Sequence, residues 1–257
     1  MKEKILYFEA PDGISGDMTL GALIDLGADV DQIRAALDTL VPEPYRLEPR
    51  RFERGGIHGV NLDVLVGGEA HGHGHGHGHG HGHRHYRDIV GMIEKSGLTP
   101  RAQGYAKDIF SVIADAEAAV HERPKGEVAF HEVGAMDSIV DICGTAVAVD
   151  LLGATAFYCG ALSDGSGTIQ CQHGEIPVPV PAVVEMAKGY GVPIVIHDEV
   201  KTEMITPTGF GIIKGLGTKF EPHLGILAER VGYGFGKRDT GRIGAVRVTL
   251  GTRYQEE

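Results

Sequence analysis

The stretch Ile5-Leu-Tyr-Phe-Glu-Ala-Pro-Asp-Gly-Ile-Ser-Gly-Asp-Met18 indicates the fold class of this 257-residue chain. Residues 5–10 form a short apolar run that predicts a strand, and Pro11-Asp12-Gly13 ends it. Residues 18–26 have the pattern of a helix that ends at Gly27. A strand, a glycine-containing loop and a helix start therefore follow one another within the first part of the chain.

The loop between this strand and helix is a candidate anion site. Unpaired N–H groups and the positive end of the helix dipole point towards it. Asp12 and Asp17 would repel a bare phosphate, however, unless a metal ion lies between them. We therefore expect Asp12, Gly16 and Asp17 to bind a nucleotide or its metal, with an aspartate as base or ligand. The alternative is plain N-capping by Ser15 or Asp17. No Gly-Lys-Ser or Gly-Lys-Thr follows, so this is not a Walker A loop.

Strand and helix patterns alternate through most of the chain, which predicts an α/β or mixed α+β single domain. Residues 45–53 and 57–66 read as a hairpin, and Thr99-Pro100 opens a long helix. We expect residues 1–66 and 86–250 to form one domain, into which residues 67–85 are inserted as a flexible loop. The order of the strands is not predicted.

Composition excludes several classes of protein. Hydrophobic residues make up 42% and charged residues 23%, as in ordinary globular proteins. The net charge of −11 argues against a nucleic-acid or anionic-membrane binder. No apolar run has the length of a membrane span, and the N-terminus lacks a signal-peptide core. Three cysteines without a CxxC pair are typical of a reducing cytoplasm.

A run of alternating histidine and glycine indicates metal binding. Imidazole is a ligand for late first-row divalent metals. Because glycine alternates with histidine, the run has no preferred shape and cannot hold a fixed coordination geometry. Capture and delivery of metal fit it better than catalysis. Alternatives are a linker with incidental histidines or an engineered tag, although tags stand at termini. The candidate ligands are His71, His73, His75, His77, His79, His81, His83 and His85.

The segment Phe130-His-Glu-Val-Gly-Ala-Met-Asp-Ser-Ile-Val-Asp-Ile142 is the richest in reactive side chains. A largely apolar helix is predicted from about Asp137, and Asp141 lies on the same helical face as Asp137. Carboxylates that enter a buried helix need a partner. We therefore expect His131, Glu132, Asp137 and Asp141 to form a metal or general-base cluster. The alternative is that Asp137 caps the helix and Asp141 pairs with an unidentified basic residue.

Cys171 and His173 are two residues apart in a polar segment. In an extended backbone they would face the same way, with Cα atoms about 7 Å apart. That arrangement suits one borderline-soft metal ion. A small buried thiol is the alternative for Cys171.

Thr206-Pro-Thr-Gly209 opens another predicted helix. Thr206, Thr208 and the amide of Gly209 are candidate donors to a phosphate, with plain helix capping as the alternative. Further on, Gly232-Tyr-Gly-Phe-Gly236 precedes Lys237 and Arg238. These cations are candidates to meet a phosphate, or they are ordinary solvated charges. No helix opens there, so this is not a dinucleotide fingerprint.

Six of these motifs occur together in the order typical of one family. They are the Phe8–Met18 stretch, the His-Gly run, His131-Glu-Val-Gly-Ala-Met-Asp137, Gly165-Ser-Gly-Thr with His173-Gly-Glu-Ile-Pro-Val-Pro-Val-Pro181, Thr206-Pro-Thr-Gly209, and Gly232-Tyr-Gly-Phe-Gly-Lys-Arg-Asp239. Each is weak alone, but together they resemble the LarC nickel-insertion family over essentially the whole chain.

The resemblance implies a nickel(II) insertase that acts on pyridinium-3,5-bisthiocarboxylic acid mononucleotide and produces the nickel-pincer nucleotide of lactate racemase. It implies consumption of CTP, with Mg or Mn. Family members carry a further C-terminal domain implicated in CTP binding, and this chain stops near where it would begin. The resemblance therefore implies the C-terminal LarC portion and the apo racemase as partners, and the composition predicts no nucleic-acid or membrane partner.

Formation of a nickel–carbon bond needs a base that takes a ring proton. We assign His131 and Asp137 to this role, with Glu132 and Asp141 in support, and His173 and Cys171 to nickel transfer. The alternative function is non-catalytic nickel storage or delivery through the His-Gly run. A weaker alternative is a metal-dependent nucleotide hydrolase.

Overall fold

The computed structural model describes residues 3–67, 84–130, 135–171 and 174–254. It confirms a single mixed α/β domain. The helices are α1 (Gly16–Asp25), α2 (Val30–Leu37), α3 (Tyr86–Lys95), α4 (Pro100–Val120), α5 (Met136–Leu152), α6 (Pro181–Ala187) and α7 (Pro207–Gly215), with a short 3-10 turn at Lys125–Glu127.

The strands of the main sheet come from both halves of the chain. They are β1 (Lys4–Ala10), β2 (Tyr45–Arg54), β3 (Ile57–Val66), β6 (Ala156–Asp164), β9 (Ile194–Ile196), β10 (Lys219–Phe220), β11 (Ile226–Phe235) and β12 (Ala245–Arg253). Among the described strands, two short pairs lie outside this sheet: β4 (Arg84–His85) with β5 (Ala129–Phe130), and β7 (Thr168–Cys171) with β8 (Gly174–Pro177).

Seven of the eight described strands of the main sheet follow the order β10-β6-β1-β12-β11-β3-β2, and the eighth, β9, pairs with β6. β1 is parallel to β6 and antiparallel to β12. β11 is antiparallel to β12 and parallel to β3. The first and last strands of the chain therefore lie side by side in the middle of the sheet. This brings the loop after β1 close to the loop before β12.

One face of the sheet carries the core. Leu6 and Phe8 lie opposite Leu250 and Val248, and all four are buried. Helix α1 packs on β11 and β3, and α5 packs on α1 and α4. The other face is polar at its centre, where Glu9 forms an ion pair with Arg247 across the strands. Alternation along β1 thus separates an apolar face from a polar one.

Two glycines allow α1 to lie directly on β11. A Cβ atom on Gly234 would stand 1.8 Å from the carbonyl oxygen of Met18, and one on Gly232 would stand 2.3 Å from that of Ala22. Strand β11 continues to Phe235, so Gly232 and Gly234 lie within it. Gly232 and Gly234 allow the close contact between α1 and β11, whereas Gly236 is the first residue of the loop after β11.

Helix starts agree well with the sequence. Thr99 accepts a hydrogen bond from the amide of Ala102, with Pro100 at the first helical position, as predicted. Helix α1 begins at Gly16, two residues earlier than expected, and Ser15 is its N-cap. Among the described residues, none of the helices combines the length and apolar character that a membrane crossing requires.

Candidate functional site

A cavity of about 270 Å³ lies where three loops meet. The loops are the β1–α1 loop, the segment that leads into α7, and the β11–β12 loop. Each of them carries one of the six motifs found in the sequence. The lining residues are Asp12, Ser15, Asp17, Met18, Glu203, Met204, Thr206, Gly236, Lys237, Arg238, Thr240 and Gly244.

The first two loops are joined backbone to backbone. The amide of Ile14 donates to the carbonyl of Met204 at 2.9 Å, and the amide of Thr206 donates to the carbonyl of Ile14 at 3.0 Å. At Gly209 a Cβ atom would lie 2.3 Å from the carbonyl oxygen of Ile14. The N-termini of α1 and α7 therefore lie next to each other, and the positive ends of both helix dipoles face the cavity.

Both helices carry side-chain caps. Ser15 Oγ accepts from the amide of Met18 at 3.4 Å, and Thr206 Oγ1 accepts from the amide of Gly209 at 3.1 Å. Thr208 Oγ1 is 2.8 Å from Thr206 Oγ1. The capping alternative is therefore correct for Ser15 and Thr206. Capping does not remove these groups from the cavity, since Ser15 and Thr206 also line its wall.

Two cations from the β11–β12 loop stand at the cavity, each held by carboxylates. Lys237 Nζ lies 3.2 Å from Asp17 Oδ2 and 3.3 Å from Asp63 Oδ1. Arg238 Nη1 donates at 2.9 Å to both the side chain and the carbonyl of the buried Glu203. Burial disfavours the Lys237 ammonium, but the two aspartates outweigh it and raise the pKa of Lys237. Both side chains remain about half exposed at 48% and 50%, so an anion in the cavity can reach them.

Asp141 lies behind the start of α1. Gly16 makes this approach possible, because a Cβ atom there would be 2.8 Å from Asp141 Cβ and Oδ2. Asp141 Oδ1 is buried and has no hydrogen-bond partner. Burial, together with the nearby charges of Asp17 and Asp137, raises the pKa of Asp141 well above its usual value, although Lys237 opposes this effect. Asp141 therefore holds a proton more tightly than an ordinary carboxyl does.

Asp137 is one helical turn before Asp141, as the spacing predicted. Helix α5 begins at Met136 with Ala135 as its N-cap, so the alternative that Asp137 is the cap is wrong. Asp137 is exposed and accepts from the amide of Ser138 at 2.8 Å. No hydrogen bond reaches the buried Asp141 Oδ1, and Lys237 is a nearby basic residue whose charge acts on the pKa of Asp141.

Asp12 is tied to the far end of the chain. It is only 9% exposed, and its Oδ1 accepts from Arg242 Nε at 2.6 Å. Its Oδ2 accepts from the amide of Gly244 at 3.0 Å. The predicted substrate-binding residue Asp12 thus lines the cavity, and two of its contacts fix the β11–β12 loop beside it.

Asp164, at the end of β6, was not among the predicted site residues. Its Oδ1 accepts from the amides of Gly165, Met204 and Ile205 at 2.8, 2.7 and 3.1 Å. Burial outweighs these three donors and raises the pKa of Asp164. Asp164 thereby positions the segment that enters α7. The sequence signal that could have identified Asp164 as a site residue is its position at the end of an apolar strand, directly before Gly165.

The predicted nickel ligands are apart from this cavity or outside the described residues. Cys171 ends β7, and His85 lies in β4. Neither lines the cavity. His131, Glu132, His173 and the histidines His71, His73, His75, His77, His79, His81 and His83 lie outside the described residues. Within the described ranges, no three His, Cys, Asp or Glu side chains are placed to hold a metal ion.

The expectation for Cys171 and His173 assumed one extended segment. The strand ends at Cys171, and its antiparallel partner begins at Gly174. His173 lies outside the described residues, so its pairing with Cys171 stays a prediction. Asp63 and Glu203 were also missed, because each gains a role only through a cation that is distant in the sequence.

Comparison with known proteins gives one consistent result. The model of a family described as nickel insertion protein matches residues 6–257. Three similar proteins are each named pyridinium-3,5-bisthiocarboxylic acid mononucleotide nickel insertion protein. Those from Lactiplantibacillus plantarum and Acetivibrio thermocellus are 48% and 46% identical, over 95% and 99% of this chain. One from Staphylococcus epidermidis is 40% identical over 95% of this chain.

The match covers only part of these relatives. The chain spans 61%, 62% and 58% of their respective lengths. No solved structure matches the chain.

Proposed function

Because the chain belongs to the nickel insertion protein family, we propose that it helps to insert nickel into pyridinium-3,5-bisthiocarboxylic acid mononucleotide. The product would be the nickel-pincer nucleotide cofactor of lactate racemase. We further propose that the reaction depends on CTP and needs the part of the relatives that this chain does not cover. The names of the relatives support the substrate, and the cavity supports a site for it.

The observation that carries this proposal is the pairing of two helix N-termini with two cations at one cavity. A mononucleotide has one phosphate group, and this group suits the N-termini of α1 and α7. Lys237 and Arg238 can add charge-assisted hydrogen bonds to the phosphate oxygens. Thr206, Thr208 and Gly209 position the start of α7 for this contact. The cavity of about 270 Å³ is close in size to common small-ligand pockets.

The acidic side chains near the two helix N-termini suit the pyridinium ring and the nickel of the ligand. A pyridinium ring is a cation, and nickel brings further positive charge. Opposite charge nearby favours the ionised form of a carboxyl group. Asp141 lies behind Gly16 at the cavity wall, and burial raises its pKa. With positive charge nearby it would ionise and could accept the proton lost from the ring. In that step the C–H bond breaks, its electron pair forms the nickel–carbon bond, and the proton moves to Asp141.

Asp137 and Asp17 support this role through their charges, since both act on the pKa of Asp141. His131 and Glu132 remain proposed members of the same base cluster, because they precede α5 in the sequence. Cys171 and His173 remain proposed carriers of nickel, and the His-Gly run a proposed reservoir that supplies them.

The test is a nickel-insertion assay with the pyridinium bisthiocarboxylate mononucleotide, nickel(II) and CTP, in the presence of the remaining part of a relative. Asp141→Asn should reduce the rate at saturating nickel by about 100-fold or more, as expected for loss of a general base. The matched control is Asp115→Asn, at an exposed aspartate on α4 that lies outside the cavity.

Mononucleotide binding should survive in Asp141→Asn, since the phosphate donors are intact. A variant with the wild-type rate would refute the assignment of Asp141. Loss of ligand binding along with the rate would show that the residue serves binding and not proton transfer.

A further inference from the structure

Lys237 joins two carboxylates that the sequence places far apart. Its Nζ is almost equally distant from Asp17 on α1 and Asp63 on β3, at 3.2 and 3.3 Å. The two aspartate side chains are only 20% and 23% exposed. An ammonium ion that bridges two carboxylates stands where a metal ion with oxygen ligands could stand.

A second observation is a buried carboxyl oxygen beside this place that has no hydrogen-bond partner. Asp141 is packed against Gly16, next to Asp17, and its buried Oδ1 has no hydrogen-bond partner. Lys237 thus lies among three carboxyl groups, and Arg50 Nη1 also lies 3.3 Å from Asp63 Oδ2. A buried carboxyl without a partner is costly, and such groups are found where an ion or ligand is to be bound.

The coordination chemistry suits a small divalent cation. Mg²⁺ is usually held by one or two carboxylates, water and the phosphate of a ligand, and not by a full set of protein ligands. Asp17 and Asp63 supply two carboxylates, and the adjacent helix N-termini supply a place for a phosphate. The same arrangement removes a difficulty seen in the sequence, where Asp12 and Asp17 would repel a bare phosphate.

We propose that Asp17 and Asp63 bind an oxygen-preferring divalent cation of the Mg²⁺ or Mn²⁺ type, and that Lys237 covers this site until a phosphate arrives. The inference rests on the proposed function in that the phosphate belongs to the mononucleotide. On binding, Lys237 exchanges its carboxylate partners for phosphate oxygens. The cation takes its place and bridges the carboxylates to the phosphate. Cation and phosphate therefore strengthen each other's binding, because such coupling is reciprocal.

The experiment measures binding of Mn²⁺ to the full chain by electron paramagnetic resonance, with and without nicotinamide mononucleotide. This probe is a pyridinium mononucleotide without thiocarboxylates, and Mn²⁺ prefers carboxylate and phosphate oxygens over imidazole. No nickel is present, so the readout is independent of the insertion reaction. The His-Gly run is the same in every variant and contributes equally to the background.

In the wild-type protein, the mononucleotide should tighten Mn²⁺ binding about tenfold or more, within the range typical of coupled sites. Lys237→Ala should bind Mn²⁺ more tightly than wild type without mononucleotide, because the competing ammonium is gone. Asp63→Asn should lose the tightening that the mononucleotide causes. The matched control Lys188→Ala removes an exposed lysine on the surface after α6 and should behave as wild type.

The proposal is overturned if Lys237→Ala binds Mn²⁺ no more tightly than wild type while its circular dichroism is unchanged. It is equally overturned if Asp63→Asn keeps the full effect of the mononucleotide. Mononucleotide binding without any influence on Mn²⁺ would reject the cation site and leave the proposed substrate cavity standing. Tight Mn²⁺ binding by Lys237→Ala, together with no mononucleotide binding by the wild-type protein, would support the cation site and reject the substrate cavity.

Discussion

Arg242 donates from Nε to Asp12 Oδ1 over 2.6 Å, and this ion pair joins two loops that are 230 residues apart in the chain. The Arg242 side chain is 31% exposed, whereas that of Asp12 is 9% exposed. The pair therefore closes the wall of the cavity more tightly than a surface ion pair would. Asp12 follows β1 and Arg242 precedes β12, so this ion pair requires the first and last strands of the chain to be neighbours in the sheet.

Arg242→Ala should destabilise the protein by about 1–3 kcal/mol, because it leaves a nearly buried carboxylate with only the Gly244 amide as a partner. The measurement is the free energy of unfolding in urea. Arg87→Ala is the control, since Arg87 is 74% exposed and should change this free energy by less than about 0.5 kcal/mol. Equal effects of the two changes would contradict the role given to Arg242.

Gly234→Ala should destabilise the protein by about 3 kcal/mol or more, since the new methyl group would overlap the carbonyl oxygen of Met18 in the α1 backbone. Gly104→Ala is the matched comparison. A Cβ atom there meets nothing within 4 Å, and the residue lies inside α4, so stability should rise by about 0.5–1 kcal/mol. Thermal unfolding measures both, and two changes of the same sign would refute the packing argument.

Local features of the fold were predictable from the sequence because they depend on neighbouring residues. The capped starts at Thr99 and Thr206 and the hairpin of β2 and β3 follow from spacing alone. The order of the strands was not predictable, because β1 lies between β6 and β12 through contacts across the whole chain. Periodicity gives the faces of a strand but not its neighbours.

The candidate site was predictable only in part, for the same reason. Asp17 and Thr206 stand at glycine- or proline-marked helix starts, which the sequence shows directly. The sequence shows Asp63 only as a polar position of a half-buried strand. No motif close to it in the sequence indicates a contact with Lys237. That link exists because β3 pairs with β11, whose end leads to Lys237.

Asp141→Asn should make the protein more stable, although we expect it to slow insertion by about 100-fold or more. Because the folded pKa of Asp141 is raised, the unfolded chain loses the proton first as pH rises above the ordinary value of 3.8. The wild type therefore loses stability from that pH upwards until the folded group ionises, by about 1.4 kcal/mol for each rise of one in pH. Asparagine cannot ionise and avoids this loss.

The stability advantage of Asp141→Asn should accordingly be smallest at about pH 4 and grow towards about pH 7.5. Urea unfolding across this range measures it, with Asp115→Asn as the control. An advantage that shrinks as pH rises would mean that the folded pKa of Asp141 is lowered and not raised.

Deletion of residues 71–83 should leave insertion intact at saturating nickel and reduce it when nickel is scarce. A reservoir raises the local supply of metal but makes no bond in the reaction itself. The measurement is the insertion rate over a nickel titration. Complete loss of activity at every nickel concentration would favour the delivery function of the His-Gly run over an enzyme with an accessory reservoir.

Reactivity towards iodoacetamide should distinguish the three thiols. Burial raises the pKa of both Cys143 and Cys159 to about 12, and both are fully buried, whereas Cys171 is partly exposed. At pH 8 a thiol of pKa about 12 has roughly one part in 10⁴ as thiolate, which is the reactive form. Mass spectrometry of the folded protein should therefore find label almost only on Cys171.

If Cys171 is a nickel ligand, nickel in excess of the His-Gly run should slow this labelling, and His173→Ala should weaken the protection. Labelling that nickel leaves unchanged would exclude Cys171 from nickel transfer and leave the base cluster and the cavity unaffected.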